Sequence, residues 1–170
     1  MKQYLYILLI GMVFFSGKAW SQVSITSEVF AEVIEALTAV EQDQLNFGRF
    51  SPESLGGRIT VTPDGLRMAD GTVILALGSH SPGRFNVSGM PGANINIQLP
   101  EGPSTLVHNT SGNTLQVGDW LSQPESSSDV SFQTDGSLAI SIGATLFVGP
   151  PEENPIGLYS GTYQITFAYN

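Results

Sequence analysis

The chain has 170 residues, no cysteine, six Lys and Arg against fifteen Asp and Glu, and a formal charge of −9. The missing cysteines exclude a disulfide framework, thiolate metal sites and a lipid-anchored cysteine. The acidic balance opposes capture of phosphate backbones and anionic membrane surfaces, which depends on clustered Lys and Arg, so nucleic acid is not an expected partner.

Met1-Lys2 is a short basic start, Tyr4 to Phe15 is almost wholly apolar, and Ala19-Trp20-Ser21 places small residues at its first and third positions. This is the layout of a secretory signal peptide over residues 1–21, cut ahead of Gln22. No later stretch approaches the roughly 20 apolar residues of a spanning helix. The expected product is therefore soluble, secreted or at the cell surface, and meets a membrane only during export. Both lysines, Lys2 and Lys18, precede the expected cut, which leaves 149 residues with four arginines against all fifteen acids, a formal charge of −11. That is the size of one domain with one core. Without lysine or cysteine, packing and strand pairing alone must supply durability.

Residues 22–44 read two ways. Val23, Ile25, Val29, Ala31 and Val33 alternate with Ser24, Thr26, Glu28 and Glu32, as in a strand. Phe30, Val33, Ile34, Leu37 and Val40 also recur at helical spacing, with Ser27 as an N-cap. The main domain is expected over 45–170. Arg58 to Thr62 is a short alternating strand, and Pro63-Asp64-Gly65 turns it into Leu66 to Ala69. Asp70-Gly71 reads as a second tight turn, into Thr72 to Leu77, because Asp-Gly accepts positive φ at little cost. Strands follow at Arg84 to Ser88, Ala93 to Leu99, Thr105 to His108, Thr114 to Leu121 and Val130 to Thr134. Ser137 to Gly149 is the longest strand signal, with Leu138, Ile140, Ile142, Leu146 and Val148 on even positions and Gly143-Ala144 as a bulge site.

The last segment, Gly157 to Asn170, places Tyr159, Tyr163, Ile165, Phe167 and Tyr169 on odd positions and Thr162, Gln164, Thr166 and Ala168 between them. One aromatic, β-branched face on a core and one hydroxyl-rich face in water follow from that alternation. Short strands with turn signals every 8 to 12 residues predict an all-β, antiparallel sandwich with an extended N-terminal segment.

Catalytic and metal-binding patterns are absent: there is no His-Glu-x-x-His, no Gly-x-Ser-x-Gly, no phosphate loop and no calcium loop. Ser79-His80-Ser81 lies between Gly78 and Pro82-Gly83 and reads as a polar turn, and His108 has no ligand at a recognised spacing. Asp64, Asp70, Asp119, Asp129 and Asp135 could supply oxygen ligands to calcium if their loops converged. Asp64, Asp70 and Asp135 read first, however, as turn formers, Asp119 and Asp129 as solvated charges, and Glu152-Glu153 as a loop tip. Trp120 sits one register off Leu115 and Val117 and reads either as core, the reading favoured, or as an exposed anchor for sugar or protein. Asn86-Val87-Ser88 and Asn109-Thr110-Ser111 match the glycosylation triplet. No catalytic residue, cofactor or metal site is assigned, and no enzyme activity is expected.

Leu45-Asn46-Phe47-Gly48, the block Pro82 to Ala93, the block Gly143 to Gly149 and the ending from Gly157 together resemble a family of secreted bacterial domains without known function, over roughly Leu45 to Asn170. More distantly, Tyr169 next to last and Gly157 near the start of the final strand are similar to spore-coat-U-like and chaperone-usher pilin subunits. That resemblance implies an immunoglobulin-like sandwich lacking one strand, filled by the N-terminal segment of the next subunit, with Val23, Ile25, Val29, Ala31 and Val33 inserting. It also implies a partner, namely other copies of the chain or related surface subunits. The chain departs from the spore-coat-U relatives in having no disulfide, and Glu28, Glu32 and Glu35 are unusual for a donor strand. The expected function is a structural subunit of a surface fibre. The alternative is a self-contained secreted adhesin or glycan-binding module.

Overall fold

The computed structural model describes residues 23–127 and 129–170; the expected signal peptide, residues 1–21, lies outside them. The chain divides into two units between Val33 and Ile34. Of the first, the described residues 23–33 carry neither helix nor strand and are exposed throughout.

The second unit is all-β and antiparallel. Its strands are β1 (Thr38–Asp43), β2 (Phe50–Val61), β3 (Arg67–Leu75), β4 (Gly83–Ser88), β5 (Asn94–Gln98), β6 (Ser104–His108), β7 (Thr114–Gln123), β8 (Val130–Ser131), β9 (Ser137–Val148), β10 (Tyr159–Ser160) and β11 (Thr166–Tyr169). One sheet runs β1-β4-β9-β7-β6-β10, with β2 also on β9 and β3 on β2; a second runs β11-β5-β8. Among the described residues there is no helix, and so none long and apolar enough to cross a membrane.

Strand β9 organises the larger sheet. Along one edge it pairs with β4 over Ser137 to Ile142 and then with β2 over Ala144 to Val148. Along the other it pairs with β7. The even-numbered side chains predicted to face inward, Leu138, Ile140, Ile142, Leu146 and Val148, are all buried, and Ala144 is buried with them. Leu146 stands between Ile59 of β2 and Val117 of β7, and the three pack as one row.

The change of partner happens at Gly143, and the local geometry demands glycine. A Cβ there would run into the Val61 carbonyl and lie 2.8 Å from Pro63 Cδ. The bulge, however, falls opposite the expected place. Asp119 and Trp120 of β7 together face Ala144 alone, and Asp119 takes a φ of 47°. An extra residue shifts side-chain parity by one. This explains why Trp120 is out of step with Leu115 and Val117 in sequence yet packs inward, touching both apolar clusters.

Those clusters share the work of the core. One, built on Ile59, Val61, Leu115, Val117, Leu146 and Val148, lies under β2, β7 and the second half of β9, with Phe47 among its buried members. The other, built on Val87, Ile95, Ile97, Val130, Phe132, Leu138, Ile140 and Ile142, fills the space between the two sheets.

Two expectations about turns and strands need correction. Asp70-Gly71 is not a hairpin turn: β3 runs straight through it. Gly71 uses its positive φ of 83° to pass a bulge in β2, where residues 53–56 face Thr72 alone. A Cβ on Gly71 would lie 2.8 Å from Gly57 Cα, and Thr72 Oγ1 stitches the bulge by donating to Gly56 O at 2.9 Å and accepting from Leu55 N–H at 3.1 Å. The terminal segment is likewise not one strand. Tyr159-Ser160 pairs with β6 in the larger sheet, and Thr166 to Tyr169 pairs with β5 in the smaller. Residues 161–165 cross between them without ladder bonds. The alternation survives the crossing, with Tyr163, Ile165, Phe167 and Tyr169 half-buried and the residues between exposed.

Gly143→Ala is expected to lower unfolding stability by about 1–3 kcal/mol, the cost of overpacking a filled site. Ala139→Ser, on the exposed face of the same strand, should change it by less than about 0.5 kcal/mol. Urea titration of both variants checks the pair; equal midpoints would refute the role given to Gly143.

Candidate functional site

The side chains with possible chemistry do not converge. His80 is exposed, and its neighbour Ser81 bridges to Asn46 with its hydroxyl donating to Gln44 O at 2.7 Å, so this stretch ties a loop down. His108 is buried at 6% exposure. Its Nδ1 accepts from Ser111 N–H at 2.9 Å and Thr110 N–H at 3.2 Å, which leaves Nε2 to donate to Ile156 O at 3.1 Å. The ring clamps the Asn109–Asn113 turn to the loop before β10, packing edge-on to Tyr159 at 4.9 Å. That is a structural histidine whose signal in the sequence was too sparse to read.

The aspartates act locally. Asp64 accepts from the Thr62 hydroxyl, which holds its carboxyl below the usual range, and Asp135 is lowered likewise by the Ser137 hydroxyl and amide. Asp70 pairs with Arg58 at 3.5 Å and Asp43 with Arg84 at 2.9 Å, all four groups exposed to water. Among the described residues, no three metal-ligating side chains gather.

What stands out instead is an open side. β1 ends the larger sheet and pairs only with β4; β11 ends the smaller and pairs only with β5. The side chains between these edges, Leu37, Phe85, Tyr163, Ile165, Phe167 and Tyr169, belong to the inter-sheet cluster but remain half-buried. Phe85 and Phe167 meet across the layers at 6.1 Å. At one end Leu37, Tyr169 and Phe132 crowd the space over Gly89, and the Tyr169 hydroxyl accepts from Met90 N–H at 2.8 Å.

At the other end Tyr163 stacks on Trp120 at 4.9 Å, and Trp120 Nε1 donates to Gly102 O at 3.2 Å. The Tyr163 hydroxyl is buried without a hydrogen-bond partner. Burial, with the Glu41 carboxylate of β1 adding to it, pushes the phenol up to about 12. The sequence placed these residues on one face. It did not disclose that the face would be left half-uncovered, because that depends on which sheet edge the terminal segment joins.

Residues 37–169 match a family described as a domain of unknown function, DUF4402. The chain belongs to this family. The DUF4402 span opens at Leu37 and closes at Tyr169, so it takes in both edges of the open side and the side chains between them. No curated protein matches the chain.

A buried hydroxyl without a partner is a cost to folding. Tyr163→Phe is therefore expected to leave stability unchanged or raise it by up to about 1 kcal/mol. The sign with pH follows from the raised phenol. The folded chain keeps it protonated where the unfolded chain ionises, so its contribution is present below pH 10 and lost as pH rises through about 12. Ultraviolet titration should show Tyr163 ionising last among the described tyrosines, and Tyr163→Phe should lose that step while keeping the smaller delay that burial gives Tyr159.

Proposed function

We propose that this protein is a secreted or cell-surface structural subunit that assembles with copies of itself, or with related subunits, by donating its N-terminal strand. The observation that carries this reading is the open side between β1 and β11, in a chain that also carries an unpaired, alternating apolar segment. Val23, Ile25, Val29 and Val33 are 82%, 86%, 91% and 97% exposed. A sheet edge with unpaired N–H and C=O groups over half-covered apolar side chains invites a further strand. A donated strand supplies backbone hydrogen bonds to the edge and side chains at every second position to the pockets.

Val23, Ile25, Val29, Ala31 and Val33 share one parity, so in an extended segment they face the groove together. Ser24, Thr26, Glu28 and Glu32 then face water, and Phe30 alone breaks that polar face. Burying a valine or isoleucine fully is worth about 1.5–3 kcal/mol, so several together are a substantial driving force. Because donor and acceptor are different segments of one chain, the contact is head-to-tail and extends into a filament. The finer likeness is to an immunoglobulin-like sandwich short of one strand, as in spore-coat-U-like and chaperone-usher pilin subunits. Export by a signal peptide over residues 1–21 belongs to the same reading.

Light scattering after size exclusion tests it. Protein spanning 22–170 is expected to form concentration-dependent oligomers, and protein lacking residues 22–33 to remain monomeric. Val29→Asp should suppress assembly, because a carboxylate in an apolar pocket carries a large desolvation cost. A monodisperse monomer whose Val23–Val33 segment resists protease would overturn the reading and mark a self-contained module.

A further inference from the structure

The outer face of the larger sheet carries a feature that strand donation does not use. In β9, Leu146 and Val148 are buried at 1% and 5%, while Phe147 between them turns outward and is 38% exposed. Its cross-strand neighbours are Arg58 on β2 and Gln116 on β7. Beyond these lie Asp70 on β3 and Thr105 on β6. All five face solvent. They form one row across five strands, and four gaps of about 4.8 Å give it a length of roughly 19 Å.

The row is polar on both sides of its ring. Arg58 Nε lies 3.5 Å from Asp70 Oδ2, and Gln116 Nε2 lies 3.2 Å from Thr105 Oγ1. On the other edge of β9 from Arg58, the ring lies against buried Gly118, where a Cβ would come within 3.4 Å of Phe147 Cε2. The ring, Arg58, Asp70 and Gln116 line a depression of about 1040 Å³, walled by Leu55 and by Glu152 and Glu153.

We propose that this face binds a neutral saccharide chain. A pyranose has an apolar C–H face and a rim of hydroxyls, and it needs an uncovered aromatic surface with planar donors and acceptors beside it. Phe147 supplies the surface. The guanidinium of Arg58, the carboxylate of Asp70 and the amide of Gln116 supply donors and acceptors in the same plane. Few placed polar groups around an apolar floor is the usual make-up of a small-molecule site. The row is long enough for several sugar rings in sequence. Glu152 and Glu153 on the wall, in a chain of formal charge −9, disfavour anionic saccharides. A protein partner is disfavoured because the row carries one apolar side chain among four polar ones, and the exposed Leu55 on the wall adds only one more, short of a large contiguous patch. The site shares no residue with the β1–β11 opening, so it stands or falls apart from strand donation.

Saturation-transfer NMR and calorimetric titration of the full chain with cellohexaose, chitohexaose and mannohexaose test the proposal, with hexagalacturonate and oligolysine alongside. At least one neutral hexamer is expected to bind with saturation on its ring C–H protons. Phe147→Ala should weaken it by about tenfold or more, and Gln116→Ala by several-fold. Phe147→Tyr should retain binding, and all three variants should melt as the parent does. Binding by none of the neutral hexamers, undiminished binding by Phe147→Ala, or preference for hexagalacturonate or oligolysine would each overturn it.

Discussion

The fold depends on one strand satisfying three others. Every residue of β9 has a donor and an acceptor to place, and a buried strand cannot leave them to water. It solves this by exchanging partners along one edge, β4 for β2, while β7 follows the other edge across the exchange, from Ser141 to Phe147. The exchange bends the sheet and sends its two halves to different tasks. The first half faces the smaller sheet across the inter-sheet cluster; the second closes over Phe47 with β2 and β7. Gly143 is the point where that division is made, since only a residue without a Cβ lets Val61 and Pro63 come so close.

Much of this was legible because period-two alternation is a strong signal. The inward set of β9, the half-buried odd positions of the terminal segment and most strands from β4 onward lie where the pattern predicted. What the pattern could not convey was pairing. Asp70-Gly71 has the composition of a hairpin turn, but the same positive φ serves a bulge, and which use applies depends on Gly57 lying opposite. Gly157 to Asn170 alternates without a break, yet its ends belong to different sheets. Alternation reports which way side chains point and says nothing of which neighbour holds the backbone.

The candidate surfaces were legible in part for the same reason. Tyr163, Ile165 and Phe167 were visible as one face, but their incomplete cover is a property of edges. Phe147 was visible only as an odd residue in a strand whose even residues mattered. Its neighbours Arg58 and Gln116 come from segments 58 residues apart, and only the register of β2, β9 and β7 puts them in one line. Trp120 is the converse case: its sequence register pointed outward, and a bulge returned it to the core.

The parity of β9 ties the two proposals together. Its even residues build the core that holds the acceptor edge in shape, and its odd residue Phe147 faces the solvent side of the same sheet. A strand inserted between β1 and β11 would pack against the inter-sheet cluster without touching the outer row. Assembly and ligand contact would then not compete for surface. A subunit with one weak saccharide site gains little by itself, since small polar ligands bind shallow faces modestly. Repeated along the proposed filament, the same site would meet a long polysaccharide many times, and linking the contacts would raise the effective concentration of each after the first. In that arrangement modest affinity per subunit suffices for firm attachment.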